Sequence, residues 1–496
     1  MLDMSPLGVG ALLSIAISLS FYLGISVRDY RLSQGLGDYF FYDWALGNRS
    51  IAATIFASGM SLATVVIALL DLGRVFGTAV IWAPITYCLG WFTLVLAAPA
   101  IRSNTTLHDT IHTFLGKSYE SRSLLLVSSW ATIVGFVGTF ATEIIAGDVI
   151  FSSIGLGKYG STIGIAVFAL ITVIYSGVGG FRSVIRSDSI QAWLLIPSLA
   201  GIVALAFNLF SSVTYKPFWS SKLLTTFTLP FSVIISLALI NIAFPIADMS
   251  AWQRVRAADS DSSFQVGGIV AIVGFAVTWT LLIVLGAGMG PSISSENSPF
   301  IQLVTEGRFN SSLSNLILGI VLFPGLVAAM LSTADTFLNA AGHTYSLDIK
   351  KEQERNSNDG QSRATRDIII MGIAGFLGAL VFRELGFSIV DMIFAVYGGT
   401  LSLCAPVIYA LYFNEDSSAH IYSLYALLSV IAGFLASWSN GIYSIVCRSS
   451  YYEACGYIQS IWSPDIFMSP VLAFSISTVI FVIPVLVKSL KSHEKK

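Results

Sequence analysis

Apolar runs of about twenty residues recur along the whole chain, separated by short polar stretches that hold most of the charge. A helix needs a run of that length to cross the hydrocarbon of a bilayer. The pattern predicts thirteen spans, at 7–27, 51–72, 76–100, 122–153, 160–179, 188–209, 230–250, 264–288, 315–346, 367–383, 390–413, 420–440 and 467–488. The expected fold class is therefore all-α, a polytopic membrane protein with about 13 transmembrane helices.

The polar stretches give the orientation, because cytoplasmic loops accumulate Lys and Arg. With the N-terminus outside, 19 of the 26 basic residues fall on the inner side, among them Arg28, Arg49, Arg102, Arg182, Arg254, Lys350 and Lys488. The expectation is an outer N-terminus and an inner C-terminus in a plasma or inner membrane. On that topology spans two to six begin inside and spans seven to eleven begin outside, so the two five-span blocks are inverted relative to each other. The third member of each block is unusually long (122–153 and 315–346). The first member of each carries a helix-breaking patch, Ser58-Gly59 in one and Pro245 followed by Asp248 in the other. Interrupted helices at matching positions of inverted halves point to a transporter site at the midplane. The segments are an N-terminal helix and loop (1–50), a first repeat (51–209), a second repeat (230–413), and two C-terminal helices with a short basic tail (414–496).

Composition agrees with this and excludes several classes. The chain is 55% hydrophobic and 11% charged, where soluble domains carry about 25% charged residues. No basic cluster supports nucleic-acid binding, and no nucleophile–base pair or metal cluster supports an enzyme. The N-terminal run lacks a basic leader and a small-residue cleavage site, so it reads as a retained span. Of four cysteines, Cys88 and Cys404 lie in apolar runs, while Cys447 and Cys455 share a polar loop where pairing is open. His108-Asp109-Thr110-Ile111-His112 resembles a zinc-protease helix, but Asp stands for the Glu and no third ligand is evident, so it reads as structural. The sequon at Asn310 is a common chance match.

Four stretches carry a family resemblance. They are Asp38-Tyr39-Phe40-Phe41 with Leu46-Gly47-Asn48-Arg49, then Gly179-Gly180-Phe181-Arg182 running to Asp188-Ser189-Ile190-Gln191, then Gln253-Arg254 through Ala257-Ala258-Asp259-Ser260, and finally Leu331-Ser332-Thr333-Ala334-Asp335. Together, in order and spacing from about residue 38 to 413, they resemble the sodium:solute symporter family. The resemblance implies a leucine-transporter-type five-plus-five inverted repeat and sodium-driven uptake, with Na+ as the coupling ion and no other cofactor or metal. By motif it implies a sodium site made of the carbonyls of Ala57, Met60 and Ala329 with the hydroxyls of Ser332 and Thr333. Several neutral oxygens suit a hard cation. The plain alternative is that both hydroxyls only bond their own helix or a neighbour. Gly59 stands where some members have an acid, which leaves proton coupling open.

Acids at membrane depth need a partner or a function. Asp188 and Asp335, with Thr336, match positions that in some relatives form a second sodium site or the ion's exit path; for Asp188 the alternative is a helix N-cap. Asp248 falls at a position that faces the substrate cavity in sugar carriers, or else pairs with Arg254 or Arg256. Glu143 lies deep in the fourth span with no Lys or Arg deep in any span to meet it. It is expected to face the cavity, to be protonated, or to meet a cation on the substrate. Acids without a buried base favour a cationic or zwitterionic amine or amino acid. Gly398 replaces a glutamine that contacts sugar in one carrier, which disfavours sugars. The expected function is sodium-coupled import of a small polar solute by alternating access. The partners are that solute, Na+ and the lipid bilayer. The alternatives are a proton-coupled or uncoupled transporter and a transporter-like sensor.

Overall fold

The computed structural model describes residues 5–33, 36–41, 46–106, 109–211, 229–289, 298–350, 358–386, 389–414, 418–448 and 465–493. Within them the chain is helical from end to end. The helices are α1 (Pro6–Leu32), α2 (Leu36–Phe41), α3 (Asn48–Ser58), α4 (Ala68–Phe76), α5 (Trp82–Asn104), α6 (Ile111–Ser118), α7 (Arg122–Ser153), α8 (Gly157–Ser211), α9 (Phe231–Ala247), α10 (Met249–Ala257), α11 (Asp261–Met289), α12 (Pro299–Glu306), α13 (Ser312–Thr344), α14 (Asn358–Glu384), α15 (Ile389–Thr400), α16 (Cys404–Tyr412), α17 (Ser423–Arg448) and α18 (Met468–His493).

Length and composition give ten helices able to cross a membrane among the described residues, or eleven when α9 and α10 count as one bent span. The thirteen-span count is not reproduced on that measure, because two runs are counted as single helices. Residues 157–211 make a run of 55 residues, about 80 Å at 1.5 Å per residue against a hydrocarbon core of about 30 Å. Gly180 divides it, with φ 60° and ψ −164°, a conformation outside the helix region. The run 62–104 is likewise interrupted by Gly77 at φ 65°.

The centre of the bundle is α13. Every residue from Gly325 to Thr344 is buried, as expected for a helix covered on all sides. It packs on α8, α1 and α7. Small residues allow the close approach: a Cβ on Gly319 would lie 2.4 Å from the Leu7 carbonyl, so α1 and α13 meet nearly backbone to backbone.

Three of the four stretches that carry the family resemblance meet near the His343 end of α13. Tyr39 on α2 donates its hydroxyl to the Gly177 carbonyl, and its ring lies where a Cβ on Gly180 would fall, 2.6 Å away. The Gln253 amide contacts the Phe40 carbonyl at 3.4 Å and His343 Nδ1 at 2.7 Å, and Phe40 stacks on the His343 ring at 4.8 Å. Leu46 exchanges backbone hydrogen bonds with Ala257 and Asp259. Residues far apart in sequence thus form one clamp around the end of the central helix.

Candidate ion and solute site at the two helix breaks

The span after residue 48 is broken where the sequence places Ser58-Gly59. α3 ends at Ser58, and the chain resumes at Ser61 with a wide turn of π geometry over Leu62–Ile67. Such a break frees carbonyls that a continuous helix would consume. Two residues of α13 reach them. Ser332 donates to the Ala57 carbonyl at 2.8 Å, and Thr333 donates to the Ser58 carbonyl at 3.1 Å. Both hydroxyls also contact the Ala329 carbonyl, at 3.2 and 3.3 Å. Of the five expected sodium ligands, Ala57, Ala329, Ser332 and Thr333 therefore converge on one spot. Met60 borders it, its amide 3.1 Å from the Ala57 carbonyl and its sulfur 3.2 Å from the Thr278 hydroxyl. Ser58, which motif matching did not supply, brings its carbonyl to the same spot.

The second break is between α9 and α10, which bend by 47° around Asp248. Asp248 is extended and caps α10, accepting from the Ser250 amide at 2.8 Å and the Ser250 hydroxyl at 2.9 Å. Between the two breaks lies a cavity of about 110 Å³. Its polar wall includes Ser58, Ser61, Thr64, Asp248, Arg254 and Thr333, and its aromatic wall includes Tyr87, Trp91, Trp279 and Tyr397. Asp248 lines this cavity, and it forms no ion pair within 4 Å among the described residues.

Arg254 corrects one expectation. Residues 253–258 look like an inner loop in the sequence, yet Arg254 lies on α10 at 1% exposure. A base is therefore buried at the site after all. It is heavily engaged: Nε meets the Thr54 hydroxyl at 3.1 Å, Nη1 the Ser250 carbonyl at 3.1 Å, and Nη2 both Thr336 at 2.9 Å and Asp188 at 3.4 Å. Asp188 also accepts from Thr54. It is not a helix N-cap, because α8 resumes well before it at Gly180. Asp188 and Thr336 are thus bridged by one guanidinium, and Thr54 and Arg254 are the members motif matching did not supply. Asp335 is fully buried in the field of Asp188 and Arg254, with the Tyr175 hydroxyl and the Thr336 amide beside its carboxyl.

Glu143 does not line the cavity, which corrects its expected place. It is fully buried behind the first break, where Ser61 donates to one carboxyl oxygen and the Ala63 amide approaches the other at 3.3 Å. It serves the restart of the broken helix, where amides lack helical partners. On α6, His112 is buried, and neither ring nitrogen has a hydrogen-bond partner among the described residues. No cluster of three metal-ligating side chains occurs among the described residues; His108 and Cys455 lie outside them. Cys88 and Cys404 are free.

Residues 39–226 match the model of the sodium:solute symporter family. The matched segment holds the first break, Glu143 and Asp188, whereas Ser332 and Thr333 lie beyond it. The sodium/pantothenate symporter of Haemophilus influenzae is 27% identical over 205 residues, 38% of this chain and 40% of that protein. The sodium/proline symporter of Salmonella typhimurium is 30% identical over 171 residues, 32% of this chain and 33% of that protein. The chain thus spans about two-fifths or less of the length of these symporters. A solved Na+-coupled sialic acid symporter in a substrate-bound outward-open state superposes over 96% of both chains with a TM-score of 0.74 at 15% identity. That likeness extends the shared all-helical fold beyond the matched segment to nearly the whole chain.

Proposed function

We propose that the protein is a sodium-driven symporter that imports a small polar solute by alternating access. The observation that carries this reading is the convergence of Ser332 and Thr333 on the carbonyls of Ala57 and Ser58, at a helix break beside a cavity. Rotating each hydroxyl proton away would leave five neutral oxygens, those of Ala57, Ser58, Ala329, Ser332 and Thr333, to hold Na+, the kind of ligand set a hard cation takes. The sodium/pantothenate and sodium/proline relatives support the same coupling ion. The inner end of the ion's route would run past Asp335, Asp188 and Thr336. Arg254 holds the latter two in register, and Asp335 adds a buried carboxylate beside them.

The favoured solute is a zwitterionic amine or amino acid. Arg254 is occupied by Thr54, Ser250, Asp188 and Thr336, so the unmatched charge at the cavity is that of Asp248. A cationic amine would meet it, with the faces of Tyr87 and Trp279 close by to favour a cation. In this reading residues 51–209 and 230–413 are inverted repeats, the two long helical runs cross twice, the N-terminus is outside, and the protein resides in the cell membrane.

The test is uptake into proteoliposomes with an imposed Na+ gradient, beginning with proline and pantothenate and widening to other amino acids and amines. Na+-dependent accumulation against a solute gradient supports the proposal. Passive equilibration means a facilitator, and binding without transport means a sensor.

A further inference from the structure

Ser61 stands between the cavity and Glu143, and its hydrogen bonds can be counted. It lines the cavity, it accepts the Thr64 amide at 2.8 Å, and it contacts one carboxyl oxygen of Glu143. A hydroxyl has one proton and two acceptor positions. The other carboxyl oxygen of Glu143 faces the Ala63 amide, a fixed donor, at 3.3 Å. That oxygen must therefore be the bare one, and any proton on Glu143 has to sit on the oxygen that faces Ser61.

Two arrangements follow. Without a proton, Glu143 takes the Ser61 hydrogen, and Ser61 turns only a lone pair to the cavity. With a proton, Glu143 donates to Ser61, both lone pairs of Ser61 are filled, and its own hydrogen is released toward the cavity. We infer that Glu143 binds a proton, and that this proton decides whether the first helix break offers the solute a hydrogen-bond donor or an acceptor. The proton comes from water in the cavity and passes through Ser61: the hydroxyl oxygen takes one proton while handing its own to Glu143, so no net charge stays on Ser61.

The surroundings leave the choice open to the proton. Among the described residues no Lys, Arg or His forms an ion pair with Glu143, whose carboxyl meets Ser61 and an amide at the helix restart. The titratable neighbour is Tyr397 on α15, a neutral phenol that lines the cavity. The packed faces of α13, α8 and α14 bring no ion pair to Glu143 within 4 Å among the described residues.

This inference rests on the solute cavity of the proposed symporter, and it refines the solute. A carboxylate or carbonyl on the solute binds the proton-loaded form, so solute affinity and proton affinity raise each other equally. Proton and solute then enter the cavity together with Na+.

Infrared spectroscopy of the full-length protein tests the proton without any solute. As pH is raised from acid to alkaline, a carboxylic-acid carbonyl band should fade, and it should be missing in Glu143→Gln. Its frequency should shift in Ser61→Ala, which removes the acceptor of the Glu143 proton. A band that never titrates, or one indifferent to Ser61→Ala, overturns the inference even if Na+ binding is intact. For function, proline and 2-tetrahydrofuroate (an acceptor without the amine) serve as probes in saturating NaCl. Wild-type affinity should fall up to about tenfold per pH unit on the alkaline side, while Glu143→Gln, whose amide must also donate to Ser61, stays at the acid-side value. Equal pH profiles in the two proteins overturn the link to the solute. Loss of Na+ dependence alone would instead overturn the ion site.

Discussion

Arg254 and Asp188 face each other across the bundle with Nη2 3.4 Å from Oδ2, at 1% and 0% side-chain exposure. The same guanidinium contacts Thr54, Ser250 and Thr336. One side chain therefore ties the second broken span to the first, to α8 and to α13. Such a strut is asymmetric. Removing the base strands buried acids, whereas neutralising the acid leaves the base with three other partners.

Arg254→Met is accordingly expected to cost about 3–5 kcal/mol, the range for stripping one partner from a buried pair. Asp188→Asn should cost clearly less. Thermal unfolding of the purified protein in detergent measures both, and an equal cost would contradict the asymmetry.

Ser332→Ala combined with Thr333→Ala should abolish stabilisation by NaCl relative to choline chloride. At an ion concentration a hundredfold above Kd, that stabilisation amounts to about 2.7 kcal/mol. Retention of the NaCl effect in the double variant would place the ion elsewhere.

Gly180→Ala should destabilise through two causes at once. Its φ of 60° with ψ of −164° disfavours any side chain, by about 1–3 kcal/mol, and the new Cβ would lie 2.7 Å from the Tyr39 carbonyl. Tyr39 cannot easily yield, since its hydroxyl is bonded to Gly177. Gly24→Ala is the control: nothing lies within 4 Å of its Cβ, and a helix gains about 0.5–1 kcal/mol from such a change. A Gly180→Ala protein melting with the wild type would refute the argument.

His112 makes stability depend on pH. Burial pushes its imidazole down from 6.5 to about 3, so the native state keeps it neutral while the unfolded chain takes up a proton below about pH 6.5. Its contribution is complete above that pH and is lost progressively as pH falls toward 3, by about 2 kcal/mol at pH 5. Melting temperatures from pH 8 to 5 should therefore fall less steeply in His112→Leu than in the wild type.

The sequence showed the hydrophobic architecture well because bilayer thickness dictates it: the span expected at 122–153 is α7 to the residue. Both breaks were also legible, since Ser58-Gly59 and Pro245 with Asp248 disrupt a helix locally. Arg254 was not. Met249–Ala257 carries two arginines in nine residues, which by composition is a loop. It is buried because Asp188, Thr54 and Thr336 supply partners from remote parts of the chain, and no local pattern reveals them. Glu143 was misplaced for the same reason. Its depth was readable, but that it turns toward Ser61 and Ala63 rather than the cavity depends on how α7 packs against the break.

The hydroxyls of Ser332 and Thr333 bear on more than loading. A carrier that imports solute must also travel back without cargo, and bare carbonyl dipoles at the break would resist that step or admit stray ions. Here the Ala57 and Ser58 carbonyls are already answered by neighbouring hydroxyl protons. In the proposed cycle these hydroxyl protons would take the ion's place at the break, which would ease the return stroke and limit leakage.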